Sequence, residues 1–214
     1  MKPLFLFFAS FFVGCIALAQ ELPFNQWTDE EKIQANTAVN VDYLSEEEKN
    51  VIYFINLARI NPALFAKTYL TQHVKENGLK SDNYYVRTLY EDLRKAKSIS
   101  PLKPNSNLSK AAKFHALDMG SKGTIGHNSS DGTNTFDRIR RFAKGDMMAE
   151  NCSYGADNFK GIAVVLQLLI DEGVPSLGHR KTILSEDYSA VGVAIAEHKM
   201  YSFNCVLDYS DIVD

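Results

Sequence analysis

At 214 residues, with 45% hydrophobic and 23% charged, the chain is long enough to bury a globular core and suits one domain with extensions. A formal net charge of −3 excludes a basic field that would draw in nucleic acid or an anionic membrane surface. A local exception, Arg138, Arg140 and Arg141, reads as a solvated helix face.

Lys2 precedes an apolar run from Leu4 to Val13, and Ala17-Leu18-Ala19 supplies a small-x-small site. This is the anatomy of a secretory signal peptide over residues 1–19, with cleavage expected after Ala19. The run is short for a membrane span, so export and no stable span are expected, to the outside or the periplasm. A lipoprotein anchored at Cys15 is the lesser alternative: Gly14 suits it, while Phe12 is a poor residue three before the cysteine. Loss of the leader leaves Cys152 and Cys205. An oxidising compartment permits one bridge between them, and two buried free thiols are the open alternative, because geometry decides.

Residues 20–44 read as a polar extension with one short helix after Thr28, and the main domain as 45–212. Ser45 with Glu48 fits a capping box, and Val51, Ile52, Ile55 and Ala58 follow at helical spacing. Asn61-Pro62 breaks that helix, and Pro62 starts another through Leu70. Tyr84 to Ala96 is helical again, and Pro101 to Pro104 marks an extended loop. Asn107 is expected to cap a helix whose face is Leu108, Ala111, Ala112, His115, Ala116 and Met119, stopped by Gly120 and Gly123. Gly126 to Cys152 reads as loops with a short helix around Phe136 to Phe142, and Asn158 to Asp171 as the most apolar helix. Ala190 to Ala196 and Tyr201 to Tyr209 read as strands joined near His198-Lys199. Helices first and strands last imply an α+β layering rather than βαβ units.

Four short segments place ionisable groups beside glycine or turn residues: Gly126-His127-Asn128, Ala149-Glu150-Asn151, Asp171-Glu172-Gly173 and Gly178-His179-Arg180. Neutral imidazole binds divalent transition metals, and carboxylates complete or orient such a site. Spacing alone also allows four ordinary surface residues. His115 lies on an apolar helix face, as a core histidine or as a partner behind the cleft, and His73 and His198 read as surface residues. Ser129, Ser130 and Ser153 lie near these segments, but no Gly-x-Ser-x-Gly elbow supports a serine nucleophile.

In order and spacing these segments, together with Ala111 to Met119, Leu169 to Gly173, Val191 to Ala194 and Asn204 to Tyr209, resemble the CAP superfamily, also called SCP/TAPS, in its bacterial-type branch. The resemblance spans about Leu44 to Tyr209. It implies a three-layer α-β-α sandwich with a central antiparallel sheet, and a cleft tetrad of His127, Glu150, Glu172 and His179. It further implies that His127 and His179 can hold a divalent metal, often zinc. The tryptophan usual three residues before the second glutamate is Leu169 here. His115 joins the expected cleft set. The expected function is a secreted monomer whose cleft binds a metal or an extracellular ligand: lipid, peptide or glycan. The alternative is a metal-dependent, peptidase-like hydrolase in which Glu150 or Glu172 acts as general base on a metal-bound water. Two histidines make a thinner catalytic zinc site than the usual three protein ligands, which favours binding.

Overall fold

Side-chain caps start the first helices where the sequence places them. The computed structural model describes residues 23–155 and 160–212, so the leader, its cleavage site, Cys15 and the expected helix start at Asn158 lie outside the described residues. Thr28 and Ser45 each accept the backbone N–H three residues on, and Glu31 and Glu48 reach back to the cap N–H. These boxes open α1 (Asp29–Ala35) and α2 (Glu46–Ile60). The segment read as an extension enters the core: Trp27, Ala35, Ala38 and Leu44 are all buried there. Asn56 on α2 ties it down, donating to the carbonyls of Ala35 and Leu102 at 3.0 Å each while accepting from Leu102 N at 2.7 Å.

Asn61 ends α2 and caps α3 (Pro62–Phe65), and a wide π turn at Ala66–Leu70 leads into α4 (Thr71–Glu76). Asn83 caps α5 (Tyr84–Lys95). The next helix, α6 (Ser106–Lys122), begins earlier than its apolar face suggests. Its cap is Asn105, whose side chain accepts from Asn107 N and Leu108 N, and not Asn107 itself. Then come α7 (Thr135–Arg140), α8 (Gly161–Ile170) and α9 (Gly178–Ile183).

The sheet has four strands in the order β1 (Lys103–Pro104), β3 (Ala190–His198), β4 (Ser202–Ser210), β2 (Met148–Gly155). The expected hairpin is β3–β4, and β2 also pairs antiparallel with β4; the two-residue β1 runs parallel to β3. Neither β1 nor β2 is visible in the sequence pattern. The run Met-Ala-Glu-Asn-Cys-Ser-Tyr-Gly has no β-branched residue, so pairing along β4 rather than propensity makes it a strand.

Alternation along the strands builds the two interfaces of an α-β-α sandwich, an α+β fold. Val191, Val193, Cys205, Leu207 and Tyr209 face α2, α5 and α8 in the larger core. Ala190, Ala194, Cys152 and Val206 face the small residues of α6. That second layer is tight: a Cβ on Gly192 would stand 2.1 Å from the backbone of Leu108 and Ser109. The same alternation removes the disulfide. Cys152 pairs across the ladder with Val206 and Cys205 with Ser153, which puts the two sulfurs on opposite faces, and both thiols are free. Among the described residues, no helix is long and apolar enough to cross a membrane.

Candidate functional site

Two loops, the start of α9 and one strand bring the candidate residues together. Glu150, on β2, is delivered by the ladder, where it stands opposite Asp208. Its side chain is 1% exposed. Oε1 accepts from His127 Nδ1 at 2.9 Å, and Oε2 accepts from Arg138 Nη2. Arg138 also donates from Nη1 to the His127 carbonyl at 2.8 Å, a carbonyl shared with Thr135 Oγ1 at 3.1 Å. One guanidinium therefore fixes both the carboxylate and the loop that carries the first histidine. This corrects the sequence reading of a solvated basic face: Arg140 and Arg141 are exposed, but Arg138 is fully buried. A helix-face charge and a buried anchor look alike in sequence, and only the neighbouring Ile139, also buried, hinted at the difference.

The second histidine has its own carboxylate, which is not the expected one. Asp171 ends α8 in the left-handed region at φ 59°, a conformation that aspartate tolerates. From there Oδ2 accepts the backbone N–H groups of His179 and Arg180, and Oδ1 pairs with His179 Nδ1 at 2.6 Å. Glu172, next in the chain, lines the same cleft, but its exposed carboxylate accepts from Asn83 Nδ2 at 2.9 Å. Among the described residues it makes no hydrogen bond or ion pair with either imidazole. Asp171 was within one residue of the predicted position, and nothing in the sequence separates two adjacent carboxylates until the chain turns.

With a carboxylate on each Nδ1, His127 and His179 both keep Nε2 for another partner. Their ring centroids lie 6.4 Å apart. An imidazole nitrogen binds zinc at about 2.0–2.1 Å, so these rings need close by only about an ångström to share one ion, and the pair fits the implied metal. His127 is 52% exposed at its side chain, which leaves it room to turn.

The cleft beside them holds about 520 Å³. Leu79, Ala163, Leu168, Ile170 and Val174 supply its apolar lining, with His73, Gln167 and His179 among the polar positions. His127 stands next to the cleft rather than in its wall. His73 is thus a cleft residue and not a plain surface one. His198 is buried, bonded to Thr124 O and Met200 N. His115 is also fully buried, so it touches no cleft ligand; its Nε2 meets Gly126 O at 2.9 Å and lies 3.9 Å from Glu150 Oε1.

The buried charges order themselves. Burial pushes the Glu150 carboxyl up, but the hydrogen bond from His127 and the charges of His115 and Arg138 outweigh it and leave it below the ordinary value. Asp208 goes the other way: burial first, then the Glu150 charge, hold its carboxyl well above the usual range. The pair thus shares one proton, kept on Asp208. Folding that raises a carboxyl pKa contributes stability fully present below about pH 4 and lost as pH climbs towards the folded value. In chelator-treated protein, Asp208→Asn should therefore gain stability over the parent, with a larger gain at pH 7 than at pH 4 in urea unfolding. An equal difference at both pH values would mean that Asp208 is not held neutral.

With the geometry in place, likenesses to known proteins can be set beside it. Among solved structures, an extracellular protein containing an SCP domain from Bacillus anthracis str. Ames is 18% identical, with a TM-score of 0.46. The match covers 77% of this chain and 41% of that one, so the chain spans well under half of that protein's length. An outer surface protein from Borrelia burgdorferi is 21% identical at a TM-score of 0.44, covering 61% of this chain and 94% of that one. No curated protein matches the chain. The model of the CAP, or cysteine-rich secretory protein, family matches residues 88–209, from within α5 to the end of the sheet. That is more than half of the sequence and includes both histidine–carboxylate pairs, and the chain belongs to the CAP family.

Proposed function

We propose that this CAP domain is an exported binding module in which His127 and His179 hold a divalent cation, zinc by donor type, beside a cleft that takes an extracellular ligand. The observation that carries this reading is the pairing of each imidazole, through Nδ1, with its own buried carboxylate, Glu150 or Asp171. Such pairing fixes the tautomer that presents Nε2 to an ion and raises its basicity. The five apolar side chains of the cleft favour a ligand with an apolar part, a lipid chain or an apolar peptide segment, over a glycan. Export rests on the Lys2-led apolar leader ending at Ala17-Leu18-Ala19.

The hydrolase alternative needs a carboxylate free to take a proton from a metal-bound water, which is the chemistry zinc would supply. Glu150 has Oε1 on His127 and Oε2 on Arg138, and Glu172 is turned to Asn83, so neither is poised as that base. Binding is the better supported role.

Calorimetric titration of the purified, chelator-treated protein with zinc tests it. His127→Ala and His179→Ala should each remove binding at this histidine pair, and Asp171→Asn should weaken it about tenfold or more, as lost carboxylate–histidine partners do. Zinc affinity unchanged in all three variants would refute the assignment. Turnover of peptide or ester panels that vanishes in Glu172→Gln would replace it with the hydrolase.

A further inference from the structure

Behind the two cleft imidazoles lies a second set of metal-ligating groups, which shares Glu150 with the binding reading and adds His115 and Cys152. His115, Glu150 and Cys152 each offer a donor atom within 4.8 Å of the others. His115 Nε2 and Glu150 Oε1 are 3.9 Å apart. Oε2 of the same carboxylate belongs to Arg138, so Oε1 is the oxygen turned towards the histidines. His127 Nδ1 stands beside the set without belonging to it, 2.9 Å from Glu150 Oε1 and 3.9 Å from Cys152 Sγ. Donors bound to one tetrahedral zinc, at about 2.0–2.3 Å from it, stand roughly 3.3–3.8 Å from one another, so this set needs to contract by at most about 1–1.5 Å.

A separate observation asks for positive charge at this spot. Asp208 is fully buried, is the cross-strand partner of Glu150, and has neither carboxylate oxygen hydrogen-bonded among the described residues. His115 Nδ1 is likewise buried without a partner. Groups in that state are stabilised by a proton or by a cation, and an unpaired buried carboxylate is otherwise costly. A divalent ion together with Arg138 carries three positive charges. Glu150 and a Cys152 thiolate carry two negative ones, and Asp208 carries the third once the ion has displaced its proton, so the buried cluster closes to neutrality.

We propose that His115, Glu150 and Cys152 form a second metal centre, distinct from the His127–His179 pair, for a borderline-soft divalent cation such as zinc. The mixed sulfur, nitrogen and oxygen donors exclude magnesium and calcium, which take oxygen ligands. Three protein donors leave one position open, the arrangement that the outer histidine pair lacks. Cys152 lines the cleft, so the ion reaches the site from there. Binding releases two protons to solvent, from the Cys152 thiol and from Asp208, and replaces the His115 Nε2 bond to Gly126 O, with the imidazole proton moving to the unpartnered Nδ1.

The thiolate makes this centre separable by experiment from the outer pair, which contains no sulfur. Cobalt(II) is titrated into protein carrying Cys15→Ala and Cys205→Ala, so that Cys152 is the remaining cysteine. A near-ultraviolet thiolate-to-cobalt charge-transfer band is expected, abolished by Cys152→Ser, shifted at least tenfold to weaker binding by His115→Asn, and retained in His179→Ala. Should Cys152→Ser fail to fold, X-ray absorption of the zinc-loaded parent decides: one sulfur at about 2.3 Å supports the centre, and a shell of nitrogen and oxygen alone overturns it. Absence of the band, or its persistence without Cys152, also overturns it. Loss of one of two zinc equivalents in His179→Ala, with the cobalt band intact, would leave both sites standing as separate. A band without any outer-pair binding would remove only the cleft assignment.

Discussion

Arg138→Ala is expected to cost about 3–5 kcal/mol of stability, the range for removing one partner of a buried ion pair. The reason lies in what remains. Glu150 is 1% exposed and its carboxyl is held ionised by its neighbours, so the truncation leaves a buried charge with only the imidazoles of His127 and His115 beside it. Water can reach neither partner to compensate. The effect extends past stability, because Arg138 Nη1 also anchors the His127 carbonyl. The loop should loosen and zinc affinity at the cleft should fall with it. Arg138→Lys should recover little, since one ammonium cannot reach the carboxylate and the carbonyl with the fork of a guanidinium. Urea unfolding of the three proteins at pH 7 is the check. A loss below about 1 kcal/mol in Arg138→Ala would show that the pair is solvated or that Glu150 is protonated.

Arg180→Ala should be of similar size, about 3–5 kcal/mol, through a different mechanism. The Arg180 side chain donates to the carbonyls of Leu169 at 2.7 Å and Ile170 at 3.0 Å, which are among the last carbonyls of α8. It also donates to Tyr85 O, Thr88 Oγ1 and Asp92 Oδ2 on α5. One buried cation thus closes a helix end that has no internal partners and bolts it to a second helix. Removal strands those carbonyls away from water. For a chain of this length the melting temperature should fall by roughly 10 °C or more. Asp171 and His179 sit on the segment so clamped, which predicts weaker zinc binding in the variant even where it remains folded. A variant that melts like the parent would show that water replaces the guanidinium.

These two arginines mark the boundary of what the sequence could disclose. The short helix after Thr28, the capping box at Ser45, the break at Asn61-Pro62 and the β3–β4 hairpin were legible because each depends on residues within a few positions of one another. His127, Glu150 and His179 were legible as candidates through short glycine- and turn-flanked segments and their resemblance to one family. Arg138 and Asp171 were not. Burial decides whether an arginine is a solvated charge or an anchor, and burial is a property of the assembled layers.

The sequence by itself determined the helix starts after Thr28, Ser45 and Asn61, the hairpin, the family and three of the residues at the candidate site, because local hydrogen bonding and residue order are written in the chain. The tertiary structure decided the rest. It made β2 a strand by pairing it with β4, and it put Cys152 and Cys205 on opposite faces. It also turned Glu172 outwards and Asp171 inwards, and drew His115, Cys152 and Asp208 together around Glu150. Each of those outcomes follows from which face of a strand, or which side of a turn, meets the opposing layer, and that choice is fixed only when the layers close.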